Sequence, residues 1–409
     1  MPFPGREPDV LLGPGSSAYN RAIMGSFQKC RAIRWDLALV LLAVLNAWAW
    51  GGWLDTSAQN PPTTYGALLE PPPGRVIHGM GQWEEDNQAY LQMLGQESLY
   101  PLTRLFFFDI EPVRPWPLVL NGLRTYLEEE RAAERIPNIN LGLSGPDKES
   151  IAWWASPPPA PFGVDDVVAN SNAYDGRLED ISQAFLDYKG PIFLRIGGEF
   201  NGLWNGHHPY EYPKAFRKIA ALFKARGLHR VALVWCYEPS AADDFDEQNA
   251  QGEPKWFPGD DVIDWYAIDV FARKDFSDAY PDSERGQLTP KGKTERFLRI
   301  AQDHGRPVMI AESSVVDFDI TSDQVWDEWF SPYFAFIEGH PQIKAFVYVN
   351  ANWPQYRRND PFHWMDGRIN LNPPASQKYR QELMKGKYLH LGEGHLLNGF
   401  QKKGRGPRQ

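Results

Sequence analysis

The 409-residue chain predicts a (β/α)8 barrel preceded by a single N-terminal hydrophobic segment, and three observations carry that expectation. Eight short apolar runs recur between residues 75 and 350, each nearly continuous in character, as parallel strands buried on both faces must be. An amphipathic stretch of period near 3.6 or a long loop follows each of them. No GxGxxG or P-loop follows the first run, so the rival doubly wound sheet lacks its nucleotide signature.

Taken in order, residues 1–36 are rich in Gly, Pro and Ser and hold Arg21, Lys29, Arg31 and Arg34, which reads as a basic, disordered cytoplasmic terminus. Residues 37–54, LALVLLAVLNAWAWGGWL, carry no charge and are just long enough to span a bilayer. Basic residues ahead of such a segment keep the N-terminus inside and send the downstream chain across. The segment reads as a transmembrane signal anchor or, because Ala47-Trp48-Ala49 resembles a signal-peptidase site, as the core of a cleaved signal peptide. Either way the rest is expected outside the cytoplasmic membrane, periplasmic or at the cell surface. Residues 55–74, with Pro61, Pro62, Pro71, Pro72 and Pro73, read as a linker, residues 75–390 as the barrel, and residues 391–409 as a solvated basic tail.

Strands are predicted at 75–81, 102–110, 138–144, 192–196, 231–237, 262–270, 307–312 and 343–350. Helices are predicted at 84–94, 118–133, 178–188, 212–226, 294–304 and 324–338. In the fourth of these, Phe216, Ile219, Ala220 and Phe223 share one face, and Lys214, Arg217, Lys218 and Lys224 the other. No internal repeat is visible, and a monomeric barrel is expected.

Composition narrows the partners. A formal net charge of −10 argues against nucleic acid. Cys30 and Cys236 would lie on opposite sides of a membrane, so no disulfide is expected. No CxxC or HExxH spacing occurs, so neither a dedicated metal site nor a cofactor is expected. Aromatics make up 14 % of the chain, with 16 Trp and 17 Tyr, more than core filling asks for. Flat side chains near loops suit a surface that stacks on sugar rings, which points to a polysaccharide partner.

Reactive groups of such a barrel come from the C-terminal strand ends. Those ends carry His78 and Gln82, Asp109, Ser144, Glu199, Tyr237 with Glu238, Asp269, Glu312, and Asn350 with Trp353. The stretch 191–206, PIFLRIGGEFNGLWNG, breaks from a strand into Gly197 and Gly198 and then presents Glu199, Asn201 and Trp204. A proton-transferring acid, an amide and an indole are the ingredients of a carbohydrate site; the alternative is that Glu199 pairs with Arg195 at a sheet edge. Glu199 and Glu312 follow apolar runs and are expected at the barrel mouth. Two carboxylates across a cleft are what glycosidic bond cleavage requires. Their separation, which decides between retention and inversion, is not set by sequence. Asp109 and Asp269 would hold sugar hydroxyls or orient Arg195. Trp153 and Trp154 would line distal subsites or cap the core, and His207 and His208 read as loop residues more readily than as ligands.

The pattern Arg195-x-x-x-Glu199-x-Asn201-Gly202-x-Trp204, followed by Tyr212 and a helix, resembles glycoside hydrolase family 26, whose best-known members are β-mannanases. PVMIAES around Glu312 and PGDDVIDWYAIDVF at 258–271 look like that family's seventh and sixth strands, and the resemblance covers roughly residues 75 to 372. It implies Glu199 as acid/base, Glu312 as nucleophile, retention of configuration, and Trp204 and Trp353 as sugar-stacking platforms. Arg195, Asn201, His78, Asp109, Tyr237 and Asp269 complete the expected substrate-binding set. One position departs: the family usually has His before the acid/base, and this chain has Gly198. That departure, with the expected membrane tether, motivates a second hypothesis, a barrel that binds glycan during exopolysaccharide assembly without cutting it. For catalysis Glu199 should stay protonated while Glu312 is ionised, with Arg195 aimed at Glu312 or at a carboxylate such as Asp109.

Overall fold

The computed structural model describes residues 64–400 apart from 147, 149–150 and 358–361. The expected cytoplasmic terminus and hydrophobic segment lie outside the described residues, as do the last nine residues of the tail. Among the described residues no helix is long and apolar enough to cross a membrane.

Eight parallel strands pair in chain order and the last returns to the first: β1 (Val76–Gly81), β2 (Thr103–Asp109), β3 (Ile136–Gly142), β4 (Ile192–Glu199), β5 (Val231–Tyr237), β6 (Trp265–Val270), β7 (Val308–Ser313) and β8 (Ile343–Val349). The predicted barrel is met. Helices α1 (Glu84–Leu94), α2 (Trp116–Ala132), α3 (Asp165–Asn170), α4 (Asp175–Tyr188), α5 (Tyr212–Ala225), α6 (Pro290–Asp303), α7 (Ser331–Gly339), α8 (Trp353–Tyr356) and α9 (Pro373–Leu383) follow. Between β5 and β6 runs a long loop with only a short 3-10 turn, Asp260–Val262, which delays β6 by three residues relative to the sequence expectation. β3 begins two residues early, running through Pro137.

Two apolar layers hold these elements. Ile77, Phe193, Ala232, Val234, Cys236, Trp265, Ala267, Met309 and Ala311 fill the barrel interior. Their alternate neighbours, Val76, Leu194, Ile196, Trp235, Tyr266, Ile268 and Ile310, face outward under the helices. The expected linker ends against the floor of the barrel: Leu69 and Glu70 are buried, and Glu70 accepts the backbone N–H groups of Tyr65, Gly66 and Ala67.

Two bulges near the C-terminal strand ends bear on the residues described below. Along β4 against β5, Arg195 opposes Val234 and Glu199 opposes Cys236, so four residues span what two span on the neighbour. Gly197 (φ +83°) and Gly198 (φ +66°) absorb the surplus in left-handed conformations that side chains adopt at a cost of about 1–2 kcal/mol. Along β7 against β6, Ile310 opposes Ile268 while Glu312 opposes Asp269, a surplus of one residue.

Candidate active site

The bulge in β4 brings Glu199 to the rim of a cleft of about 610 Å3 at the C-terminal end of the barrel. A short 3-10 turn, Leu203–Asn205, holds it there. Trp204 Nε1 donates to Glu199 Oε2 (3.1 Å), and Asn205 Nδ2 donates to the same oxygen (3.2 Å) and to the Glu199 carbonyl (2.8 Å). Position 198, where the resembled family carries His, is left-handed in this chain, so glycine is the residue its backbone asks for.

Below Glu199 lies Arg195, buried in the barrel with all its arms used. Nε donates to Asn140 Oδ1 (2.7 Å), Nη1 to Asp269 Oδ2 (2.8 Å) and Nη2 to Glu312 Oε1 (2.5 Å). Its guanidinium lies 5.4 Å from the centre of the Phe107 ring. Gln82 Nε2 donates to the other Glu312 oxygen (2.5 Å). One carboxylate oxygen each from Glu199, Asp269 and Glu312 lie within 4.8 Å of one another. Arg195 is therefore aimed at Glu312, as the sequence suggested, and at Asp269 rather than Asp109. Asn140 and Gln82 complete the cluster. Asn140 is absent from the residues expected at the site, although Asn138 and Asn140, spaced by two in an apolar strand, are the signal of an inward polar face.

Three carboxyls share one guanidinium, so their titrations are coupled. Burial pushes Asp269 well up despite Arg195, and it pushes Glu312 up with help from the Glu199 charge. Burial raises Glu199 too, but the Arg195 charge and the Trp204 and Asn205 donors outweigh it and hold that carboxyl below the usual range. This corrects the expectation that Glu199 would carry the proton while Glu312 stays ionised: donors at the strand end offset the apolar surroundings.

The walls are aromatic. Trp153, on the loop after β3, stacks on Phe362 (5.6 Å between centroids, 18°) and meets the edge of Trp204 (5.3 Å). Trp353 is nearly buried, its Nε1 donating to Ser314 Oγ (2.8 Å) and its ring packed edge-on against Trp83 and Trp364, yet one side lines the cleft. Asp109 is also at the cleft, paired with Lys148 Nζ (2.8 Å).

Three expected substrate-binding residues lie elsewhere. His78 is wholly buried outside the barrel, bonded to Tyr90 Oη (2.7 Å) and His390 (3.2 Å), and burial holds it well below the usual histidine range. Tyr237 points the same way, stacked on Phe297 (4.8 Å, 15°) with its hydroxyl donating to Asp243. Asn201 is buried and braces the loop after β5, its amide bonded to the backbone of Glu238 and Ala242.

Glu238 of that loop and Asp275, on a short turn (Arg273–Asp275) after β6, form a second acidic pair in the cleft wall. Ser240 donates its backbone N–H to Glu238 (2.8 Å) and its hydroxyl to Asp275 (3.2 Å). Burial, with the Asp275 charge added, pushes Glu238 well up, and burial raises Asp275 from 3.8 to about 6. A folded-state pKa above the unfolded one contributes stability below about pH 4 that is lost as pH rises through about 6. Asp275→Asn should therefore raise the melting temperature at pH 8, by an amount equivalent to roughly 3 kcal/mol, and change little at pH 4. Thermal scans of both proteins across that range check it; equal gains at both ends would contradict it.

No family model matches the chain. It is 26 % identical over 258 residues to a β-1,3-xylanase of an Alcaligenes species, covering 56 % of this chain and 50 % of that protein. It is equally similar over 249 residues to a β-1,3-xylanase of a Vibrio species, covering 54 % of this chain and 49 % of the relative. The chain thus spans about half the length of the curated relatives it matches. Among solved structures, a family-26 β-mannanase from Bacteroides ovatus superposes with a TM-score of 0.52 at 16 % identity, covering 81 % of this chain and 95 % of that one. A Cellulomonas fimi endo-β-1,4-mannanase double mutant gives 0.52 at 14 % identity, covering 82 % and 77 %. The structural likeness is one of fold.

Proposed function

From its resemblance to glycoside hydrolase family 26, we propose that the chain is a retaining endo-glycoside hydrolase that cuts β-linkages in a polysaccharide. The observation that carries this is the closeness of Glu199 and Glu312, whose oxygens approach within 4.8 Å. Double displacement needs carboxyls roughly 5–5.5 Å apart, whereas inversion needs about 6.5–9.5 Å to seat a water between them.

Glu312 attacks the anomeric carbon, its charge steadied by Arg195 and Gln82, while Glu199 gives its proton to the departing oxygen. The glycosyl–Glu312 ester has no charge, and Glu199, now ionised, takes a proton from the water that opens it. The reactive form carries a proton on Glu199.

Release of reducing ends from β-1,3-xylan, β-mannan, other xylans, glucans and bacterial exopolysaccharides tests the reading. β-1,3-Xylan comes first because two relatives bear that name. Cleavage with retained anomeric configuration in the first product, followed by NMR, is the expected result. Inversion would overturn the mechanism, and retention of glycan on an affinity gel with no release would leave a binding barrel.

A further inference from the structure

We infer that Asn140 donates a hydrogen bond from its amide to the 2-hydroxyl of the sugar whose bond is cut, in the room that Gly198 leaves open beside Glu199. This rests on the glycosidase reading above and names a residue that recognises the sugar at the cleavage point.

Strand register builds the arrangement. Phe107 of β2 opposes Asn140 of β3, and Asn140 opposes Arg195 of β4. An aromatic, an amide and a guanidinium thus form one layer across the floor of the cleft. Arg195 Nε can only donate, so the atom 2.7 Å from it must be the oxygen of the Asn140 amide. That bond orients the whole group: with Oδ1 turned to Arg195, Nδ2 is turned away from it. Nδ2 has no hydrogen-bond partner among the described residues. Asn140 is 5 % exposed and lines the cleft, so an amide otherwise enclosed by protein keeps its N–H groups for whatever enters. A ring that displaces water from such a donor must supply an acceptor in return.

Glycine at 198 uncovers this amide. A Cβ there would stand 3.5 Å from Asn140 Oδ1, 3.8 Å from Asn140 Nδ2 and 3.4 Å from Asn205 Nδ2. A side chain at 198 would therefore begin in contact with the amide, and its absence leaves that contact to a ligand. The position also selects the hydroxyl. Glu199, directly after Gly198, serves the departing oxygen, and Glu312, held by the same guanidinium as Asn140, serves the anomeric carbon. A donor beside both faces the neighbouring ring carbon, whose hydroxyl makes hydrogen bonds that strengthen in the transition state. Phe107, 38 % exposed, offers a flat apolar seat to the same ring.

2,4-Dinitrophenyl β-1,3-xylotrioside and β-1,4-mannotrioside, each paired with the counterpart lacking the 2-hydroxyl on the ring that carries the aryl group, provide the test. Asn140→Asp keeps an acceptor for Arg195 and removes the donor; Asn140→Ala removes both. The ratio of kcat/KM for the hydroxylated over the deoxy probe should fall roughly tenfold in both variants at pH 7. Intrinsic reactivity, fraction folded and the placement of Arg195 affect both members of a pair alike and cancel from that ratio. If Asn140 only braced Arg195, the variants would lose activity on both members equally and keep the parent's ratio. That result would overturn the inference and leave the glycosidase reading standing. A folded parent that cleaves neither hydroxylated probe would overturn the two together.

Discussion

Replacement of Glu312 by Gln is expected to lower turnover by on the order of 10^4-fold or more without loss of fold. The amide keeps the shape and can still accept from Arg195, but it cannot form the glycosyl ester. Because burial raises the Glu312 carboxyl, its ionisation costs stability at neutral pH, and the neutral amide removes that cost. Loss of activity should therefore come with a melting temperature at pH 7 equal to or above that of the parent. Glu199→Ala should behave differently. Substrates with good leaving groups need no proton, so the first step survives, the second stalls for want of a base, and added azide should restore turnover as a glycosyl azide of retained configuration. Parental activity in Glu312→Gln, or an azide product of inverted configuration, would show that the roles are assigned wrongly.

Arg195→Met is expected to destabilise the protein by about 3–5 kcal/mol at pH 7, since it leaves Asp269 and Glu312 buried without their cation. Both carboxyls are already raised by burial, and Arg195 is what opposes the rise. Without it they take up protons more readily, so the deficit should shrink as pH falls toward 4 and grow as pH rises. Denaturant midpoints at pH 4.5 and 7.5 measure this directly. Arg195→Lys should recover only part, because an ammonium lacks the planar fork that reaches Asn140, Asp269 and Glu312 together. A midpoint for Arg195→Met equal to the parent's at pH 7.5 would mean that the cluster is held by something else.

Much of this was legible in the chain because a barrel strand is a short apolar run with a polar residue at its end. β1, β2, β5, β7 and β8 lie within a residue of their predicted bounds for that reason. Two of the misplaced residues share one cause, which is that a strand end does not say which side a residue faces. Alternation does. Ile77 lies inside, so His78 must lie outside; Cys236 lies inside, so Tyr237 must lie outside. The same count puts Asn140 and Asp269 inward. Asn201 could not be read so, because loops have no period. The Glu199 proton was misjudged since Asn205, six residues on, donates to it through a turn that hydrophobicity does not reveal.

The two bulges differ in kind. In β4 the surplus is two residues, a whole side-chain repeat, so Glu199 would face inward with or without it and is merely drawn one layer nearer Arg195. In β7 the surplus is one residue, half a repeat, and Glu312 faces inward only because of it; Met309 and Ala311 are inward already. The two glutamates therefore stand under different constraints in descent. The first strand can gain or lose residues in pairs and keep its acid in the cleft, whereas a single insertion or deletion beside Ala311 turns the second glutamate out and a neighbour in. Chain length, as much as residue type, is what keeps that glutamate in the cleft.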